Sequence, residues 1–203
     1  MKAQLIRIQA AHLEKANLID DALSLLDVIL NEYPESFDIS QVYHQLGECY
    51  VKKDKIEDAI DALKKSIAIE NEKPNYQTGS WLTFAVLITE HKLTKYYPDF
   101  TALIERMTTR PGGIEARTRF PLEQYYFYGT LSNIEKHNGN RENSKKYAEL
   151  ALAASEKTES GFRYHPKLGL VQEKNTPFHS SLVAEPKKKL TSQLISLLWR
   201  RTR

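Results

Sequence analysis

Between Ser40 and Lys73 the chain sets out two apolar stripes of helical period, with a glycine lodged in the first. Tyr43, Leu46, Gly47 and Tyr50 share one helical face. Ala59, Leu63 and Ser66 share another, and Ile56, Ile60 and Ile67 continue its three-and-four spacing. A glycine inside a helix costs about 1 kcal/mol against alanine, so Gly47 needs a packing reason. Two closely crossing helices supply one, because their backbones approach only where small residues meet, here Gly47 and Ala59. Leu18, Ala22, Leu26 and Ile29 repeat the stripe upstream, and Pro34, Pro74, Pro98, Pro111 and Pro121 fall at or near the expected helix ends. Alternating apolar and polar positions, the signature of a strand, are scarce. The fold class is therefore all-α, built from paired helices.

The unit 40–73 resembles a tetratricopeptide repeat, a helix–turn–helix of about 34 residues. Counting Ser40 as position 1, Tyr43, Leu46, Gly47, Tyr50, Ala59 and Leu63 stand at the signature positions 4, 7, 8, 11, 20 and 24. Two places depart from the pattern. Ser66 replaces the usual alanine at position 27, and the closing proline arrives late as Pro74. Residues 3–36 form a weaker unit, with Ala10 and Leu13 followed by Ala22, Leu26, Ile29 and Pro34. Residues 78–111 form a third, with Trp81, Phe84, Ala85 and Ile88, then Phe100, Leu103, Ile104 and Met107. Tyr97 occupies its small crossing site, which predicts a splayed pair or a shifted register. A fourth unit starts near Leu122 with Tyr125, Tyr128 and Gly129, and reaches Ser144, Ala148 and Ala151 if three extra residues precede Asn143.

The resemblance implies an α-α superhelix of about four such hairpins over residues 1–158. An irregular arm, 159–187, is expected to pack on the repeats, because Phe162, Tyr164, Leu168, Leu170 and Val171 are too apolar for a disordered linker and Pro166, Pro177 and Pro186 oppose a long helix. A basic amphipathic helix over 188–203, with Leu190, Leu194, Leu197 and Leu198 on one face, is expected to cap the open end of the stack.

The family's first helices line a concave groove in which protein or peptide partners dock. Carried over by position, that groove presents Gln4, Arg7, Ala11 and Glu14, then Gln41, His44, Glu48 and Lys52, then Tyr126, Thr130 and Asn133. The same side chains also suit an ordinary solvated face. The subgroup that clamps the carboxylate tail of heat-shock chaperones uses positions that hold Arg7, Ala11, Gln45, Gly79 and Thr83 here, so that clamp is absent.

Chemistry finds little support. The six histidines (His12, His44, His91, His137, His165 and His179) make no His-x-x-x-His spacing, and no metal or other cofactor is expected. No phosphate-binding glycine loop or nucleophile elbow occurs. Arg163 and His165 in the arm lack a partner acid or nucleophile at recognisable spacing. The lone cysteine, Cys49, reads as a packed structural thiol and fits a reducing compartment. No signal peptide or transmembrane run is visible, so the chain is expected to be cytoplasmic and complete from Met1.

Charge is unevenly spread. Residues 1–50 carry three basic and eight acidic side chains, and residues 151–203 carry ten and four. Arg200 and Arg201 suit a helix C-terminus, but Lys187, Lys188 and Lys189 oppose the dipole at the expected N-terminus. They form either a solvated tail or a contact with an anionic surface. The expected function is a non-enzymatic protein-interaction adaptor, of bacterial chaperone or immunity type. The alternative is an anion-binding module that touches nucleic acid or membrane through the basic C-terminus, with nucleic acid the less favoured partner. Oligomeric state is not legible.

Overall fold

The computed structural model describes residues 2–73, 77–109, 112–114 and 116–183. The expected cap over 188–203, with Lys187, Lys188, Lys189, Arg200 and Arg201, lies outside the described residues. Those described are all-helical, with no strand among them: α1 (Lys2–Lys15), α2 (Ile19–Glu32), α3 (Ile39–Lys52), α4 (Ile56–Glu72), α5 (Ser80–Glu90), α6 (Tyr97–Thr108), α7 (Pro121–His137), α8 (Arg141–Ser155) and α9 (Pro177–Val183).

One turn recurs four times and fixes the repeat. Asn17, Asp54, Lys92 and Gly139 all adopt left-handed backbone, with φ of 62°, 58°, 53° and 81°. The amide after each reaches back to a carbonyl five residues earlier: Leu18 to Leu13, Lys55 to Tyr50, Leu93 to Ile88 and Asn140 to Glu135, at 2.8–2.9 Å. This is the Schellman closure, which satisfies helix-end carbonyls and reverses the chain. Asp20 and Asp21 then open α2, and Glu57 and Asp58 open α4, where the dipole favours negative charge.

The chain divides into two compact units between Leu103 and Ile104, within α6, so the expected repeat domain 1–158 spans both. In the first unit α3 and α4 run antiparallel. Ser66 Oγ near the end of α4 donates to the Ser40 carbonyl at the start of α3 (2.7 Å). At mid-helix, a Cβ on Gly47 would lie 2.8 Å from Leu63 Cγ and 3.4 Å from the Ala59 carbonyl. The glycine is there because nothing larger fits. Ala10, Ala22, Leu26, Ile29, Val42, Leu46 and Cys49 close the core between the first two hairpins. Burial pushes the Cys49 thiol up to about 12, consistent with an inert packing group.

The third hairpin departs from the others near Tyr97. A 3-10 turn, Thr94–Tyr96, precedes α6, which begins three residues later than the repeat would place it, with Tyr97 buried. Phe84 on α5 lies 6.2 Å from Phe100 between ring centres.

In the second unit the turn at Gly139 corrects the expected register. It makes residues 125–158 the fourth repeat, without the three-residue insertion. The close approach of α7 and α8 then falls at Ser132, whose Oγ donates to the Ser144 carbonyl at 2.8 Å, as Gly47 meets Ala59. Beside it the Tyr128 ring stacks on Tyr147 at 6.3 Å and meets Phe127 edge-on at 5.2 Å. Gly129 serves another purpose. A Cβ there would sit 2.4 Å from Phe178 Cζ, so its missing side chain admits α9.

The arm is irregular from Glu156 to Thr176 and then forms α9, a seven-residue helix inside the segment expected to hold no long one. Phe178 and Leu182 enter the core formed by Tyr125, Ala148, Ala151 and Ala154. The covering of the last hairpin thus falls to α9 among the described residues. Upstream, Gly169 (φ 69°) passes under Phe120, where a Cβ would come within 2.4 Å, and its carbonyl accepts from Leu122 N–H at 2.8 Å. Phe162 stacks on Phe120 at 5.1 Å.

Candidate functional site

α1 and α3 lie side by side, and residues recurring every three or four positions on each face the same way. Between them opens a cleft of about 560 Å³. Arg7, Ala11, Glu14 and Lys15 line it from α1. Gln41, His44, Gln45, Glu48 and Lys52 line it from α3, and Gln77 and Thr78 close it ahead of α5. Seven of the groove residues inferred from the sequence therefore meet here: Arg7, Ala11, Glu14, Gln41, His44, Glu48 and Lys52. Gln4 stands exposed outside the lining.

The remaining three lie elsewhere. Thr130 is fully buried. Tyr126 packs against Phe178, with ring centres 4.9 Å apart. Asn133 Nδ2 donates to Ser181 Oγ at 3.1 Å. What Tyr126 and Asn133 meet is the chain's own α9. Arg163 and His165 stand exposed on the arm, with the Arg163 guanidinium 5.5 Å from the Tyr164 ring centre. Among the described residues no three His, Cys, Asp or Glu side chains are placed to hold a metal ion.

Pairing inside the cleft sorts its charges. Lys52 Nζ sits 2.8 Å from Glu14 Oε1, and Gln45 Nε2 donates to Glu14 Oε2 at 3.3 Å. Arg7 Nε lies 3.9 Å from Asp38 Oδ1. Glu48 faces His44, with Nε2 to Oε1 at 3.6 Å, and among the described residues forms no ion pair with a lysine or arginine. Burial, reinforced by the nearby Glu14 charge, holds the Glu48 carboxyl above the usual carboxylate range.

A chain of hydroxyls leads to the His44 ring. Ser66 Oγ gives its proton to the Ser40 carbonyl, and Ser80 Oγ gives its own to Ser66 Oγ at 2.8 Å. Ser80 Oγ also lies 2.6 Å from Thr78 Oγ1; with its proton given to Ser66, the imidazole donates in the 2.9 Å contact between Nδ1 and Ser80 Oγ. Nε2 is then a lone pair facing Glu48. Ser80, His44 and Glu48 stand in the order of a hydrolase relay. Ser80, however, is fully buried with its proton committed, so no substrate carbonyl reaches its Oγ.

Burial holds the His44 pKa below 6.5, against the opposing pull of Glu70 and Glu14. A histidine depressed in the fold contributes stability above its unfolded value and loses it as pH falls through the folded one. Acidification below 6.5 is therefore expected to lower the unfolding midpoint of the wild type more than that of His44→Gln. Thermal melts of both proteins across that range check this, and parallel slopes would refute it.

Sequence reasoning missed the contribution of Gln77, Thr78 and Ser80 to this site. They stand ahead of and at the start of α5, where the helical period gives no direction; Gln77 and Thr78 line the cleft, and Ser80 joins it through His44 and Ser66. The tetratricopeptide-repeat family model matches residues 40–73, the hairpin of α3 and α4. No curated protein matches the chain. Among the described residues no helix is long and apolar enough to cross a membrane. The matched hairpin, the recurring Schellman turn and the all-helical pairing of the described residues together support a helical-repeat protein of the tetratricopeptide type.

Proposed function

We propose that this protein is a non-enzymatic interaction adaptor that holds an extended segment of a partner protein in the cleft between α1 and α3. The convergence of Arg7, Gln41, His44, Glu48 and Lys52 on one cleft carries the reading. The Gln41 and Gln77 amides have no hydrogen-bond partner within the described residues, and each can donate to and accept from a peptide backbone. A repeat scaffold supplies such a surface without needing catalytic groups. Secretion chaperones and toxin-neutralising immunity proteins are the settings we favour, in the cytoplasm, by analogy of fold.

Selection from a displayed library of random peptides tests this. Bound sequences are expected, with affinity reduced on the order of tenfold or more by Arg7→Ala with Gln41→Ala, and unchanged by Lys145→Ala on the outer face of α8. Failure to select any peptide, or equal affinity in all three proteins, would refute it.

A further inference from the structure

The cleft holds a local demand that its own residues leave unanswered. His44 Nε2 and Glu48 Oε1 face each other at 3.6 Å, and in the tautomer whose proton lies on Nδ1, toward Ser80, both are acceptors. In the cleft wall the Gln45 carbonyl oxygen, on a side chain one-twentieth exposed, also lacks a donor. Acceptors crowded together cost free energy until an N–H reaches them.

The surrounding charges indicate which donor fits. Lys52 is taken up by Glu14, and Arg7 faces Asp38. Lys15 stands exposed at the rim. No lysine or arginine among the described residues pairs with Glu48, while Glu14 and Glu70 both act on His44 as negative charges. A carboxylate ligand would meet a like charge at this point, since Lys52, which also pulls on Glu48, is already paired with Glu14. A planar guanidinium aims its N–H pairs at the two oxygens of one carboxylate. An ammonium gathers three N–H bonds on one atom and can donate to imidazole and carboxylate together.

We infer that this cleft selects a partner segment presenting an alkylammonium group, which seats between His44 Nε2 and the Glu48 carboxylate. The inference rests on the peptide reading above. The shared chemistry is the ammonium, supplied by a lysine side chain or by a free N-terminus.

Peptides from the selection described above provide the first probe. Each is remade with norleucine for lysine, with arginine for lysine, and with an acetylated N-terminus. One of the ammonium removals is expected to cost on the order of tenfold in affinity. Norleucine sensitivity identifies a lysine, and acetylation sensitivity identifies the terminus. Glu48→Gln should cost a similar factor and add nothing on top of the sensitive peptide change, the signature of direct coupling. Peptides that depend on Arg7 and Gln41 yet tolerate norleucine and acetylation would overturn the ammonium site and leave the peptide reading standing.

If no peptide is selected, n-butylammonium titrated into isotope-labelled protein decides. A shift of the His44 Nε2 resonance in the wild type that disappears in Glu48→Gln supports the site. An unmoved resonance at saturating fragment overturns it.

Discussion

Gly47→Val is expected to destabilise the first compact unit by about 3 kcal/mol, read as a lower urea midpoint with unchanged slope. The added side chain must enter where Leu63 Cγ already lies 2.8 Å from a Cβ position, and Leu63 is fully buried. Leu63 has no solvent to swing into, so α3 and α4 must separate. Gly47→Ala should cost less, because alanine regains about 1 kcal/mol of helix propensity while meeting the same neighbour. A valine variant with the wild-type midpoint would mean that the two helices do not approach as closely as this. Retention of secondary structure by circular dichroism would separate a loosened hairpin from a chain that never folds.

The second large effect is local. Phe178→Ala is expected to release α9, because that ring is the main apolar anchor of a seven-residue helix. Phe178 is buried against Tyr125 and Tyr126, with ring centres about 5 Å away, and fills the space over Gly129. Removing a buried phenylalanine costs about 3–5 kcal/mol when the site cannot collapse. Such a short helix cannot stand alone, so the loss appears as detachment rather than as a strained cavity. Hydrogen exchange checks it: amides of 177–183 should lose protection while those of α7 and α8 keep theirs. Unchanged protection of α9 would count against its anchoring by this ring.

The hairpins were legible because their signals are local and periodic. Gly47 and Ala59, twelve residues apart, marked a crossing that the backbone then made. The fourth hairpin was misregistered by three residues for a physical reason. Gly129 looked like a second Gly47, but its smallness answers α9, a partner from outside the hairpin. The small pair that crosses there is Ser132 and Ser144, also twelve apart; Ser144 was legible, but Ser132 is polar enough to escape an apolar pattern. The same slip explains the site. Counted from Tyr125, Thr130 falls at position 6, which in the second hairpin is the buried Gln45. Arg7, Gln41, His44, Glu48 and Lys52 were found because their two hairpins follow the repeat without slippage. α9 was invisible for want of length, since seven residues hold barely two helical turns and show no stripe.

The line of hydroxyls from Ser40 through Ser66 to Ser80 and on to His44 also bears on how this array bends. Repeat stacks flex by opening wedges between neighbouring hairpins. Between α1/α2 and α3 the buried joint is alanine, leucine and isoleucine, and the polar ties from Glu14 to Lys52 and Gln45 lie at the cleft, where a guest can take their place. Between α4 and α5 the joint is riveted by directional bonds that must snap one after another. Compliance within the first compact unit therefore concentrates at the earlier joint, and a bulkier guest is accommodated by tilting α1 outward while α3, α4 and α5 move as one piece.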